Sequence, residues 1–268
     1  MIRATEHSVS RMTNRDPVAW AANLQMESRR ARRSVRSCRL GARLIWTVRR
    51  RSGKQTRRGM KILVFGASGK TGREILRQAP DRGHEVTAFV RDRKKLGELD
   101  AAAHAIQGDI TDAAVVTRAV EGHAAVLSTL GASNPMRPYP AFRTGVENII
   151  RAMEAVDVRR LIYLSFLGVR TDKEDLGFFL NHVASRLLRC AIADHAANEA
   201  AIRASRLAWT IVQAPTLTNG RATGTYRSGE QLAIQSVVSS ISRADVADFM
   251  LRQLAEDRYI LRSPSIMN

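Results

Sequence analysis

The chain has 268 residues, of which 44% are hydrophobic and 25% are charged, so it can bury one sizeable hydrophobic core. No apolar run is long enough to span a bilayer, and we therefore expect no membrane association through a transmembrane helix. Two cysteines, Cys38 and Cys190, are too few for a disulfide framework. A cytoplasmic location is the expectation that follows from this cysteine usage.

The net charge of +18 would favour a nucleic-acid-binding protein if it were spread along the chain. It is concentrated in residues 1–59, which contain 15 arginines and Lys54 against three acidic residues, a net of +13. Residues 60–268 carry the remaining +5, which is ordinary for a globular domain. A nucleic-acid partner is therefore not expected, except through the basic segment.

The basic segment 1–59 has three interpretations. Its richness in Arg and Ser and its few acids fit a targeting peptide. It also fits a polybasic arm that contacts nucleic acid or anionic lipid. The third interpretation, which we favour, is that the natural start is Met60, directly before the first predicted strand. We expect residues 1–59 to be disordered or not native and residues 60–268 to form a single domain.

Short apolar runs alternate with longer helical stretches from Met60 onward. An i, i+3, i+4, i+7 stripe at 146, 149, 150 and 153 predicts a helix that covers one face of a sheet. The repeated alternation predicts an α/β fold, a Rossmann-type doubly wound parallel sheet. Ser242 and Asp245 form a capping box that predicts the start of the last helix. The predicted strands are 61–65, 85–90, 103–107, 124–129, 160–165 and 208–213, and the predicted helices are 71–79, 112–120, 140–156, 179–204 and 243–256.

A glycine-rich turn follows the first predicted strand and precedes a helix, within a unit that the strand 85–90 closes. Glycine lets the backbone turn sharply and come close to a pyrophosphate, and the helix that follows directs free N–H groups at the anion. The motif therefore predicts a dinucleotide-binding site. Its candidate residues are Gly66, Ser68, Gly69, Lys70, Thr71 and Gly72.

The end of the second strand bears on the choice between NAD and NADP. Arg91 follows this strand directly, and its guanidinium suits the 2′-phosphate of NADP. Lys70 is expected near the same ribose, so we predict NADPH in preference to NADH. Two alternatives remain at this point. Residues 91–95 could be a solvated helix face, and Asp92 could accept from a ribose hydroxyl, which would favour NAD.

Two further segments end strands at the expected ligand-binding edge. Asp109 could accept from the adenine amino group while Ile110 packs on the ring, although Asp109, Thr111 and Asp112 are also good helix N-caps. Leu130 and Gly131 follow the fourth strand, where the backbone is expected to pass close to the nicotinamide ribose.

These segments, together with Thr210-Ile-Val-Gln-Ala-Pro215, resemble the atypical short-chain dehydrogenase/reductase superfamily. More narrowly, they resemble its NAD(P)H-binding branch, which contains biliverdin-IXβ/flavin reductases and NmrA-like proteins. The similarity covers nearly all of residues 60–268. It implies NADPH and hydride transfer to a small planar acceptor such as a flavin, a quinone or a tetrapyrrole. The NmrA-like members imply an alternative, a non-catalytic NADP(H)-binding sensor.

The chain departs from the resemblance where catalysis is concerned. No lysine stands four residues after any of its four tyrosines, so the Tyr-x-x-x-Lys pair of many short-chain dehydrogenases is absent. Phe166 occupies the position of the family's strand-end serine, with Ser165 beside it, and Thr216 stands in place of a histidine. The catalytic candidates are Ser165, Thr216 and His195, with His182 as a second histidine.

Two remaining expectations concern the surroundings of the acceptor. Phe166, Phe178, Phe179 and Leu180 in the segment 166–190 are expected to supply an apolar wall. No cluster of His, Cys, Asp and Glu has the spacing of metal ligands, so no metal is expected.

Overall fold

A computed structural model describes residues 59–100, 103–131, 134, 136–169, 188–230, 232 and 239–268. The basic segment up to residue 58 lies outside the described residues, and so do His182 and the greater part of the expected apolar wall. The expectations for these parts stay predictions.

The described residues form an alternation of strands and helices that begins at Lys61. The strands are β1 (Lys61–Phe65), β2 (Glu85–Val90), β3 (His104–Gln107), β4 (Ala125–Ser128), β5 (Arg160–Phe166), β6 (Ala208–Ala214), β7 (Thr216–Thr218), β8 (Arg227–Gly229), β9 (Ser240–Ser242) and β10 (Ser265–Met267). The α-helices are α1 (Lys70–Gln78), α2 (Ala113–Val120), α3 (Pro140–Ala155), α4 (Arg189–Ala204) and α5 (Arg243–Arg252). Short 3₁₀ segments cover Pro80–Arg82, Arg93–Asp100 and Leu167–Val169.

The central sheet has the strand order β3-β2-β1-β4-β5-β6-β10-β8. Its first seven strands are parallel, and β8 pairs antiparallel with β10. The chain reverses direction across the sheet between β1 and β4, which is the topological switch point where ligands bind in open α/β sheets. The predicted Rossmann-type doubly wound sheet is confirmed.

Helices cover both faces of the sheet because the strand side chains are apolar on both sides. On β1, Ile62 and Val64 belong to the core beneath α1 and α5, while Leu63 and Phe65 belong to the core beneath α2, α3 and α4. All four side chains are fully buried. Near-continuous apolar strands of this kind are typical of a parallel sheet with two covered faces.

The chain after β6 contains structure that the sequence pattern did not predict. Strands β7, β8, β9 and β10 have three residues each, too short for a periodic signal. The capping box is confirmed, because the Ser242 hydroxyl accepts from the backbone N–H of Asp245 at 2.9 Å and α5 begins at Arg243. The Asp245 carboxylate also accepts from the backbone N–H groups of Thr223 and Gly224, which holds the connection after β7 against α5.

The remaining predicted boundaries agree with the structure to within a few residues, with two larger differences. The helix predicted over 179–204 is described only from Arg189, and α5 ends at Arg252 instead of reaching residue 256. Among the described helices, none is both long enough and apolar enough to cross a membrane.

Candidate functional site

The glycine turn between β1 and α1 is held in a conformation that its three glycines permit. Gly66 has a φ of +77°, in the left-handed region that side chains disfavour. The backbone N–H of Gly69 donates to the carbonyl of Gly66 at 2.9 Å. A Cβ at Gly72 would lie 2.3 Å from that same carbonyl oxygen, which is closer than any real contact. The turn can pack this tightly only because these positions carry no side chain.

Helix α1 begins directly at this turn. Its N-cap is Gly69, which has no side chain to bind the free N–H groups of the first turn. Thr71 and Gly72 are buried against the turn, whereas Gly69 is exposed. An uncapped helix N-terminus of this kind can donate its N–H groups to an anion.

A cleft lies at the carboxyl edge of the sheet beside the glycine turn, and we call it the glycine-loop cleft. The structure brings together in its lining many of the residues that the sequence singled out, namely Gly66, Ser68, Gly69, Arg91, Ile110, Leu130 and Gly131. Residues that the sequence reasoning missed complete the lining, and these are Phe89, Val90, Thr129, Tyr139 and Phe142.

Arg91 lines the glycine-loop cleft, and Asp109 directly precedes Ile110 of the lining without belonging to it. The guanidinium of Arg91 is exposed and donates to the phenol oxygen of Tyr139 at 3.3 Å. Asp109 is exposed, and its carboxylate accepts from the backbone N–H and the hydroxyl of Thr111 at 2.8 and 2.7 Å. These hydrogen bonds, with a smaller contribution from the positive charge of Arg91, lower the pKa of Asp109. Asp112 is the N-cap of α2.

The residues after β4 contact the glycine turn through Thr129 and line the cleft through Leu130 and Gly131. The Thr129 hydroxyl donates to the carbonyls of Phe65 and Gly66, each at 3.2 Å. A Cβ built at Gly131 meets no atom within 4 Å, so the packing of the described residues does not itself require glycine there. Ile110 is buried beneath α3 and still lines the cleft.

Lys70 is not among the described lining residues of the glycine-loop cleft. It lines a second depression, the basic groove, together with Arg73, Glu74, Arg77, Asn219 and Arg243. The expected contact between Lys70 and the ribose stays a prediction.

Ser165 lies at the end of β5 and is engaged by a buried carboxylate. Its hydroxyl donates to Glu199 at 2.5 Å, and the Glu199 side chain is fully buried. Arg203 pairs with the other carboxylate oxygen at 2.6 Å, and the amide of Gln213 donates to both oxygens at 3.3 Å. Buried charges are normally paired and hydrogen-bonded in this way.

His195 packs against Phe142, which lines the cleft, and is not itself among the described lining residues. Its Nδ1 is 3.0 Å from the phenol oxygen of the buried Tyr163, and its ring packs edge-on against Phe142 at 5.1 Å between centroids. Burial lowers the pKa of His195 to about 4, with the nearby Asp194 carboxylate opposing the shift. The imidazole is therefore uncharged at neutral pH. Burial likewise raises the pKa of Tyr163, which keeps its phenol protonated.

Thr216 is exposed on β7, opposite Ser240 of β9. It follows β6 at the carboxyl edge of the sheet, as expected. Ser165 and His195 thus form hydrogen bonds within the fold, whereas Thr216 faces solvent. Within the described part of the chain, no group of three or more His, Cys, Asp or Glu residues is placed to hold a metal ion.

Residues 66–257 match a protein family described as NAD(P)H-binding, which is well over half of the chain. The chain belongs to this NAD(P)H-binding family. It is also 30% identical over 204 residues to UPF0659 protein YMR090W of Saccharomyces cerevisiae, an alignment that covers 73% of this chain and 87% of the yeast protein.

Solved structures share the fold of this NAD(P)H-binding chain. ChuY, an anaerobillin reductase from Escherichia coli, is 24% identical with a TM-score of 0.65 and coverage of 77% of this chain and 96% of ChuY. A short-chain dehydrogenase/reductase from Veillonella parvula in complex with NADP is 18% identical with a TM-score of 0.65, covering 78% of this chain and 94% of the other. The resemblance to the NAD(P)H-binding branch of the atypical short-chain dehydrogenases/reductases is confirmed.

Proposed function

We propose that this chain is an NADPH-dependent oxidoreductase that transfers hydride to a small planar acceptor, such as a flavin, a quinone or a tetrapyrrole-like molecule. The observation that carries the proposal is that the glycine turn, Arg91 and the apolar side chains of Phe89, Leu130 and Phe142 line one cleft. Membership of an NAD(P)H-binding family supports the coenzyme class. ChuY, which has the same fold, is described as a reductase, and this supports a reduction as the reaction.

The lining of the cleft and the first turn of α1 support an assignment of the residues that would hold the coenzyme. Gly66, Ser68 and Gly69 would bind the pyrophosphate, because a close backbone and the free N–H groups of α1 meet there. Ile110 would pack against the adenine, with Asp109 beside it. Thr71 and Gly72 support the turn from within α1, while Leu130 and Gly131 would border the nicotinamide ribose.

The surroundings of Asp92 favour NADPH over NADH. The Asp92 carboxylate accepts from the backbone N–H of Lys94 at 3.0 Å, within its own turn. Arg91, in contrast, lines the cleft and hydrogen-bonds only an uncharged phenol in the described structure. A guanidinium in this position can form charge-assisted bonds to a 2′-phosphate.

Bound NADPH supplies the hydride, so this chain has mainly to position the acceptor and to exclude water. Phe89, Leu130 and Phe142 give the cleft its apolar character. In the described lining the ionisable side chains are those of Arg91 and Tyr139, and solvent can supply the proton that completes the reduction. Ser165, Thr216 and His195 remain the candidates for orienting the acceptor.

A non-catalytic NADP(H) sensor is the second candidate. Two hydrogen bonds favour it, that of Ser165 to Glu199 and that of His195 to Tyr163. Because both side chains already have partners within the fold, neither is free to act on an acceptor. NADPH oxidation in the presence of FMN, riboflavin and simple quinones separates the two functions. Turnover supports the reductase. Tight NADPH binding without turnover across this panel supports the sensor and contradicts the reductase.

A further inference from the structure

The basic groove lies on the outer side of the fold between α1 and the N-terminus of α5. Four cationic side chains line it, and these are Lys70, Arg73, Arg77 and Arg243. The lining contains one carboxylate, that of Glu74, which pairs with Arg77 at 2.6 Å. The groove therefore carries an excess of positive charge in the described structure.

The cations of this groove come from separate elements that the fold holds together. The side-chain amide of Gln78 on α1 donates to the carbonyl of Ala244 on α5 at 3.0 Å. Arg243 donates to the side-chain oxygen of Asn219 at 2.7 Å, and Arg73 donates to the backbone carbonyl of Lys95 at 2.7 Å. Both of these acceptors are uncharged, so neither bond neutralises the cation.

An ordinary solvated helix face explains only part of this arrangement. Lys70, Arg73, Glu74 and Arg77 follow the i, i+3, i+4, i+7 spacing of one exposed face of α1. Arg243 belongs to another helix and is fixed beside them, although like charges repel at short range. A bound anion would remove this repulsion.

The groove is adjacent along the chain to the glycine turn and to the candidate residue Thr216. Lys70 directly follows Gly69, which lines the glycine-loop cleft. Strand β7 runs from Thr216, the candidate at the end of β6, to Thr218, and Asn219 of the groove comes next. The three-residue step from Thr216 to Asn219 spans about 10 Å in an extended strand, so a molecule over Thr216 needs a tail of about this length to place an anion in the groove.

We propose that the basic groove binds the phosphate of a phosphorylated planar acceptor of the FMN type. This inference rests on the proposed reductase function, whose substrate class it narrows. Arg243 is the principal phosphate ligand, since its hydrogen bond in the described structure goes to the uncharged amide of Asn219. Lys70 supplies a second cation here, in place of its predicted contact with the coenzyme ribose. Riboflavin has the same ring system without the phosphate and is the matched comparison ligand.

The test is a fluorescence titration of the full chain, saturated with NADP+, with FMN and with riboflavin. Wild type is expected to bind FMN about tenfold more tightly than riboflavin, as for a charge-assisted phosphate contact. Arg243→Gln is expected to remove most of this preference and to leave riboflavin affinity unchanged. Arg118→Gln removes one positive charge at an exposed position of α2 and is the control. It is expected to leave the affinities for FMN and riboflavin unchanged.

A gain-of-function variant keeps the proposal testable if Arg243→Gln folds poorly. Glu74→Gln removes the carboxylate of the groove and frees Arg77, so FMN affinity is expected to rise about threefold with riboflavin unchanged. Inorganic pyrophosphate is expected to compete with FMN and not with riboflavin.

The outcomes separate this proposal from the proposed function. Equal affinities for the two flavins in wild type, or no binding of either, would overturn the groove assignment. So would a loss of NADP+ affinity in Arg243→Gln with the flavin preference intact, because the groove would then hold a coenzyme phosphate. FMN preference that depends on Arg243, without NADPH oxidation, supports the groove and contradicts the reductase.

Discussion

Arg91 donates a hydrogen bond to the phenol oxygen of Tyr139 at 3.3 Å, which joins the end of β2 to the start of α3 in the lining of the glycine-loop cleft. Among the described residues Arg91 forms no ion pair with a carboxylate, so its guanidinium is available where the 2′-phosphate of NADP is expected. Coenzyme preference should therefore depend on this arginine.

Arg91→Ala should weaken NADPH binding by roughly tenfold, because a hydrogen bond to a charged group contributes on the order of 1.5–3 kcal/mol. NADH affinity should change by less than about twofold, since NADH has no 2′-phosphate. Calorimetric titration of wild type and Arg91→Ala with each coenzyme gives the changes in NADPH and NADH affinity. The assignment is contradicted if the two affinities fall equally or if NADPH affinity is unchanged. Tyr139→Phe is the control and should leave NADPH preference in place.

Gly72→Ala should destabilise the fold by about 1–3 kcal/mol, which is the usual cost of overpacking. The added Cβ would lie 2.3 Å from the Gly66 carbonyl oxygen and 2.7 Å from the Ala67 Cα, both of which are backbone atoms that cannot easily move. Urea denaturation measures the change, and coenzyme affinity should fall with it.

Gly131→Ala is the matched comparison, because its Cβ would meet no atom within 4 Å. Its stability in urea should equal that of wild type to within about 0.5 kcal/mol. NADPH affinity should nevertheless decrease, since the backbone at this position is expected to border the nicotinamide ribose. Unchanged NADPH affinity would argue against that placement.

Arg203→Ala should cost about 1–3 kcal/mol of unfolding free energy, because it leaves the buried Glu199 carboxylate without its cationic partner. Arg206→Ala removes a cation from an exposed pair with Glu154 at 3.9 Å and should cost less than about 0.5 kcal/mol. Denaturation of both variants under the same conditions tests the difference. Equal losses would show that the Glu199 network contributes no more than a surface pair.

His195 should make stability depend on pH below neutrality. Its folded-state pKa of about 4 lies below the ordinary value of about 6.5 for an unfolded chain, so only the unfolded state gains a proton in between. Stability should therefore fall as the pH drops from about 6.5 towards 4, by about 1–3 kcal/mol from this group.

His195→Gln is the variant that isolates this contribution. His123, whose pKa is also lowered by burial, is present in both proteins and cancels in the comparison. Denaturation curves at neutral pH and near pH 5 should show a smaller loss of stability in the variant than in wild type. An identical loss in both would contradict the assignment to His195.

The first βαβ unit could be predicted from sequence because its requirements are local. Gly66 and Gly72 stand where a side chain would be strained or collide, and the short apolar run before the glycine turn is typical of a buried strand. The capping box at Ser242 is equally local, since the cap and the N–H it binds are three residues apart.

The residues that complete the cleft could not be predicted, because they depend on long-range packing. Tyr139 and Arg91 are 48 residues apart and meet only when α3 packs beside β2. Lys70 follows Gly69 directly, yet the rotation of α1 turns it to the basic groove. The resemblance makes Ser165 a catalytic candidate because it stands beside the family's serine position, and its bond to Glu199 depends on how α4 packs on β5.

The most direct test of the central claim is a calorimetric titration of the full chain with NADPH and, separately, with NADH. The account predicts saturable binding of NADPH at one site per chain, with weaker binding of NADH. No detectable binding of either coenzyme, in reduced or oxidised form, would contradict the assignment of the glycine-loop cleft as a dinucleotide site.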